Sequence, residues 1–233
     1  MMAIYNELLY RPLVNITVFL YNLVPGNDLG VAIIVLTVLI RLIFLPLTTK
    51  TVLSQKALNR LNPQIKAIKE KYKNDNAAQS AAILNLYKQN KINPAAGCVP
   101  LLIQLPILIA LYQAFMGIFK PESLNILYSF VANPGVISDR FLNFINIGKP
   151  NIFLTLFAGL AQFIQAKQAS LYSKEQGGDA NKEMTALNSQ MLYFFPILII
   201  IIGWNLPAGL MVYWVTTTLL SMAEQSYIKW KHK

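Results

Sequence analysis

An arginine in the middle of an apolar run is the first residue in this chain that demands a chemical account. The stretch VAIIVLTVLIRLIFLPLT, residues 31–48, carries Arg41 near its centre. At the middle of a membrane helix an arginine costs about 2.5–3.5 kcal/mol on insertion scales, so something must offset it. Thr37 precedes Arg41 by one helical turn and shares its face. Other polar side chains interrupt later apolar runs at similar depth. They are Gln104, then Gln162 with Gln165 one turn on, and then Trp214 with Thr216, Thr217 and Thr218. These are groups that bind by charge and hydrogen bonding; they do not form a catalytic set. Apart from Glu224 near the end of the last run, no Asp or Glu lies inside those runs, and Cys98 and His232 are the single cysteine and histidine. The sequence therefore reads as a non-enzyme with no cofactor, no metal site and no disulfide, in which Cys98 is a packing residue.

Glutamines and threonines taken singly read as interhelical glue, worth about 0.6 kcal/mol each on average. That account does not reach Arg41. Glu224, near the end of the last run, is the one plausible carboxylate partner. Snorkelling to the surface asks for about 12 Å, a stretch for an arginine side chain. The better account is a water-filled cavity, open to the cytoplasm, in which Arg41 lacks an internal counter-ion and offers a site for a negative guest. An ion, a solute or a polypeptide fits that description. The lack of an inverted repeat, a filter-like loop and a coupling carboxylate argues against a selective pore.

The elements that hold these residues follow from composition. The chain has 233 residues, 55% hydrophobic and 13% charged, with formal net charge +10 and mean hydropathy +0.45. Soluble domains carry about 25% charged residues, so this reads as an all-α membrane protein. Five runs are expected to span: 29–48, 94–119, 151–167, 191–204 and 207–227, the last two folded back at Asn205-Leu206-Pro207. Leu9, Leu13, Ile16, Leu20 and Leu23 recur at helical spacing, interrupted by Arg11, Asn15 and Asn22. Residues 1–26 thus read as an interfacial amphipathic helix, with a sixth span over 8–23 as the alternative and with no cleavable signal. Lysine and arginine crowd residues 49–93 and the tail 228–233. The positive-inside rule places both in the cytoplasm, with the N-terminus and loop 120–150 outside; loop 168–190 has nearly balanced charge, gives no vote, and falls inside by alternation of the spans. Within 49–93, Asn62-Pro63 starts a helix, Ile65, Ile68 and Tyr72 share one face, and Ile83, Leu84, Leu86 and Tyr87 form a second. This predicts a basic helical hairpin bearing Lys56, Arg60, Lys66, Lys69 and Lys73. It is either a positive-inside determinant that happens to be helical or a docking element for substrate, ribosome or lipid head groups.

Four stretches in order resemble one family, the YidC membrane protein insertases. They are RLIFLPLTTKTVLSQKALNRLNPQIKAIKEKYKND, NPAAGCVPLLIQLPILIALYQAF, AGLAQFIQAKQ and LPAGLMVYWVTTTLLSMAEQ. The resemblance implies five core spans around a hydrophilic groove, closed outside and open to the cytoplasm and to lipid. It assigns Arg41, Thr37, Gln162, Tyr213 and Trp214 to that groove, and places Gln104, Leu105 and Pro106 in the second-span segment that helps form a slide for the substrate helix. With the polar positions at the same depth, the expected groove set is Arg41, Thr37, Gln104, Gln162, Gln165, Tyr213, Trp214 and Thr217, and the expected slide is Leu105, Pro106 and Leu108. The implied partners are nascent membrane proteins with short translocated tails, together with the Sec translocon, the ribosome and anionic lipids, and no DNA. The implied location is the bacterial plasma membrane. Glu224-Gln225 stands where two glutamines are common, which leaves a Glu224–Arg41 ion pair open. A solute transporter and an assembly scaffold are the rival readings.

Overall fold

The computed structural model describes residues 2–93, 99–175 and 182–231. Cys98, His232 and the acidic loop residue Asp179 lie outside the described residues, as does the start of the expected second span. The chain is mostly helical. Its elements are α1 (Met2–Tyr5), a π-helical stretch (Asn6–Tyr10), α2 (Arg11–Leu23), α3 (Leu29–Arg60), α4 (Asn62–Lys71), α5 (Asn76–Gln89) and α6 (Val99–Gly117). A 3-10 helix (Pro121–Ile126) and strands β1 (Arg140–Phe141) and β2 (Ile145–Asn146) follow, then α7 (Ile152–Glu175), α8 (Lys182–Gly203) and α9 (Ala208–Lys231). The small antiparallel hairpin β1–β2 pairs Arg140 with Asn146 and Phe141 with Ile145. An all-α reading did not foresee it.

Among the described residues α3 is long and apolar enough to cross a membrane, and Ile103–Gly117 and Leu192–Gly203 are shorter apolar stretches. Helix and apolar run are not the same length. Helix α3 does not stop at Thr48 but continues past Pro46 to Arg60. Beyond the proline, the hydroxyls of Thr49 and Thr51 donate to the carbonyls of Leu45 and Leu47. The expected loop 168–190 is likewise helical up to Glu175 and again from Lys182. Hydropathy locates the apolar part of a helix. Lys, Glu, Gln and Ala propagate the same helix into water, because straight-chain side chains lose little rotamer freedom there.

The main core joins α2, α3, α6 and α9, with Val14, Val18, Leu29, Ile33, Leu36, Leu111, Leu210 and Met211 buried. The α2 stripe is offset from the leucine spacing. Leu13, Val14, Thr17, Val18, Leu20 and Tyr21 are buried, while Ile16 and Leu23 are exposed. Asn15 is buried as well, because its amide donates to the carbonyls of Arg11 and Ile126 and its oxygen accepts from the Tyr128 N–H. Helices α8 and α9 both pack on α7. At Gly159 the Ile200 side chain approaches to 2.5 Å from where a Cβ would stand. A separate small cluster joins α4 and α5 through Leu61, Ile65 and Leu86.

Candidate functional site: a polar network gathered by α9

Helices α3 and α9 run side by side in parallel. Ile33 packs against Gly209, with 3.3 Å between its Cδ1 and the site of a glycine Cβ. Two turns further on, a guanidinium nitrogen of Arg41 donates to the Thr217 carbonyl at 3.1 Å. Both contacts keep the same residue offset, so Gly209 sets a close register that brings Arg41 to Thr217. The same nitrogen stands 3.6 Å from a carboxylate oxygen of Glu224, with the two side chains only 16% and 12% exposed. Arg41 therefore has an internal counter-ion, and the expectation of an unpaired cation is corrected. Helical side chains lean toward the N-terminus, so Glu224 reaches back along α9 to meet it. Satisfaction is incomplete: Arg41 Nε and Glu224 Oε2 are buried without a hydrogen-bond partner among the described residues. A buried unsatisfied polar group costs about 1–3 kcal/mol, more when charged.

Two further helices deliver polar groups to α9. The Gln104 amide on α6 donates to the Tyr213 hydroxyl, and Tyr213 is buried in the core. Trp214 Nε1 donates to Gln162 Oε1 on α7 at 3.1 Å, and the Gln162 amide donates to Gln165 Oε1 at 3.1 Å. Consecutive residues of α9 thus hold α6 and α7, and Thr217 holds α3. Gln168 extends the α7 stripe by donating to the Ser226 hydroxyl and the Met222 carbonyl. Sequence reasoning missed it, although the 162, 165, 168 spacing was the signal.

The remaining expected residues fall in different settings. Thr37 is fully buried, and its hydroxyl is committed to the Ile33 carbonyl at 2.6 Å. Leu105 and Pro106 are exposed on α6, and Leu108 is partly buried. Lys56 and Arg60 belong to the last turns of α3, not to the α4–α5 pair. There they line a cleft of about 440 Å³ with Leu61, Asn90 and Ile92. Lys66 and Lys69 ride on α4, and Lys73 lies in the turn that follows. A second cleft, of about 480 Å³, lies at the opposite end by Phe119, Ile137, Asp139 and Lys149. Arg41 lines neither.

Apolar helices closing on a core of arginine, glutamine, threonine and aromatic hydroxyl groups define a class: helical proteins that carry a polar network inside a lipid-compatible shell. The sequence pattern of the 60Kd inner membrane protein family matches residues 19–233, and the chain belongs to that family. A membrane protein insertase YidC of Fusobacterium nucleatum subsp. nucleatum is 33% identical over 222 residues, which are 94% of this chain and 96% of that protein. A membrane protein insertase YidC of Geotalea daltonii is 31% identical over 220 residues, covering 94% of this chain but 37% of that longer protein. The fold is similar to a crystal structure of an active YidC insertase with its first transmembrane domain resolved. There the TM-score is 0.64 at 27% identity, over 94% of this chain and 45% of that one. The family resemblance read from the four sequence stretches is borne out.

Proposed function

We propose that this chain is a membrane protein insertase and chaperone of the bacterial plasma membrane. Five spans, on α3, α6, α7, α8 and α9, enclose a hydrophilic groove open to the cytoplasm, with the N-terminus outside and the C-terminus inside. Residues 1–26 lie at the outer interface, and residues 49–93 dock the client, the ribosome or anionic head groups from the cytoplasm. The observation that carries this reading is the half-satisfied Arg41–Glu224 pair on α3 and α9. Two buried charged groups with unfilled hydrogen-bonding capacity are tolerable where water or a polar guest completes them.

The mechanism needs no nucleotide at the insertase. A client's short hydrophilic tail enters the groove and exchanges hydrogen bonds with Arg41, Gln104, Gln162, Gln165, Trp214 and Thr217, which spares it an apolar crossing. Its acidic groups compete with Glu224 for Arg41. Its apolar helix leaves along Leu105, Pro106 and Leu108 into lipid, driven by about 25 cal/mol per Å² of apolar surface removed from water. The membrane potential adds about 2.3 kcal/mol per charge per 100 mV. Insertion proceeds alone or with the Sec translocon.

The test is insertion of a single-span client with an acidic tail into proteoliposomes containing wild type, Arg41→Ala or Arg41→Lys. Activity in wild type and Arg41→Lys, with loss in Arg41→Ala, is expected. Equal insertion by all three removes the charge from the mechanism. Absence of insertion by wild type, with and without Sec, overturns the reading in favour of a scaffold or transporter.

A further inference from the structure

The segment between α6 and α7 carries apolar side chains where a solvated loop carries polar ones. Val136 and Phe144 are each 87% exposed and Phe130 73%. The turn between β1 and β2 is built under strain. Leu142 and Asn143 sit at φ of +50° and +63°. Asparagine takes that conformation readily, whereas a leucine resists it, at a cost on the order of 1–3 kcal/mol.

Asp28 and Gly30 hold the strained turn in place. One oxygen of the Asp28 carboxylate accepts from the Gly30 and Val31 N–H groups and caps α3. The other accepts from the Leu142 N–H at 2.6 Å. The Phe141 ring lies across Gly30, 2.2 Å from where a Cβ would be. The turn is thereby fastened to the first turn of α3. From Leu29 a run of about 20 helical residues covers about 30 Å, the thickness of the hydrocarbon core. Its first turn therefore marks the hydrocarbon boundary.

The apolar surface and the cations at this end of the molecule say what covers the turn. Near the same end Phe153, the second residue of α7, is 79% exposed, and with Leu156, Phe157 and Leu160 it forms an exposed apolar strip along that helix. Arg140 and Lys149, both exposed, flank the turn and suit lipid phosphates. We infer that the β1–β2 turn is a membrane anchor: Leu142 and Phe144 insert into the outer leaflet beside the head of α3, and Asp28 couples that depth to the helix carrying Arg41. This rests on the membrane-spanning reading above.

Site-directed spin labelling tests it. With Cys98→Ser as background, a nitroxide is placed at Phe144→Cys in the full chain, reconstituted in phosphatidylcholine–phosphatidylglycerol vesicles. A lipid reference is placed at Ile43→Cys on α3 and a water reference at Asn76→Cys on α5. Collisions with oxygen and with a water-soluble nickel chelate are then measured. The 144 label is expected to favour oxygen over nickel, at a depth within about 10 Å of the interface. Val136→Cys provides the same readout if the first variant folds poorly. Nickel access at 144 equal to that at 76 overturns the anchor, and exclusion of both reagents overturns it in favour of a protein partner. Nickel access at 43 equal to that at 76 overturns the membrane reading itself, so the two failures are distinguishable.

Discussion

Glu224→Gln keeps the shape of the side chain and removes the carboxylate that faces Arg41. At the observed 3.6 Å, and with an effective dielectric of about 20, the Coulomb attraction is about 4.6 kcal/mol. Desolvation of two nearly buried groups takes back much of this, which leaves an expected coupling of about 1–3 kcal/mol. For a chain of this size each kcal/mol moves Tm by about 2–4 °C. In a thermal cycle in nanodiscs, Glu224→Gln and Arg41→Gln should each lower Tm by about 2–12 °C, and the double variant should lose less than their sum. The insertion assay moves the other way. Glu224→Gln frees the guanidinium for the client, so uptake of an acidic-tailed client should rise about fivefold per kcal/mol of released coupling. A neutral-tailed client should be unaffected. Single effects that add within about 0.3 kcal/mol, together with unchanged acidic-client uptake, would refute the claim that the pair holds the site against its guest.

Two structural predictions accompany it. Gly159→Leu should destabilise the α7–α8 contact by about 1–3 kcal/mol, because the new side chain has to displace Ile200; a lowered Tm and increased cross-linking distance between α7 and α8 check it. Leu86→Ala empties the small α4–α5 cluster, at a cost of about 2–4 kcal/mol confined to that pair. Proteolysis in the turn after Lys71 should accelerate, while the fluorescence of Trp214, bonded to Gln162, stays unchanged.

Much of the candidate site was legible because an outlier is visible against a uniform background. Arg41 among Val, Ile and Leu needs no alignment to be noticed, and the glutamines stand out for the same reason. Its partner was harder to read. Glu224 was the one carboxylate in range, yet whether it met Arg41 or water depended on the register between α3 and α9. That register is decided where Gly209 lets Ile33 and Ile147 close in. Thr37 shows the reverse case. Its spacing placed it on the arginine's face, but its hydroxyl turned back to its own helix, as threonine often does when no better acceptor is near.

The sequence by itself determined that the chain is helical and apolar, where its charges lie, and which family it resembles. Those properties are local: each depends on composition and spacing within a single segment. Only the tertiary structure decided that α9 gathers Arg41, Gln104 and Gln162 from three other helices, and that one Asp28 carboxylate holds both a helix start and a strained turn. These pairings join residues far apart in the chain. They are set by side-chain interdigitation and close glycine contacts between helices, which no single segment encodes.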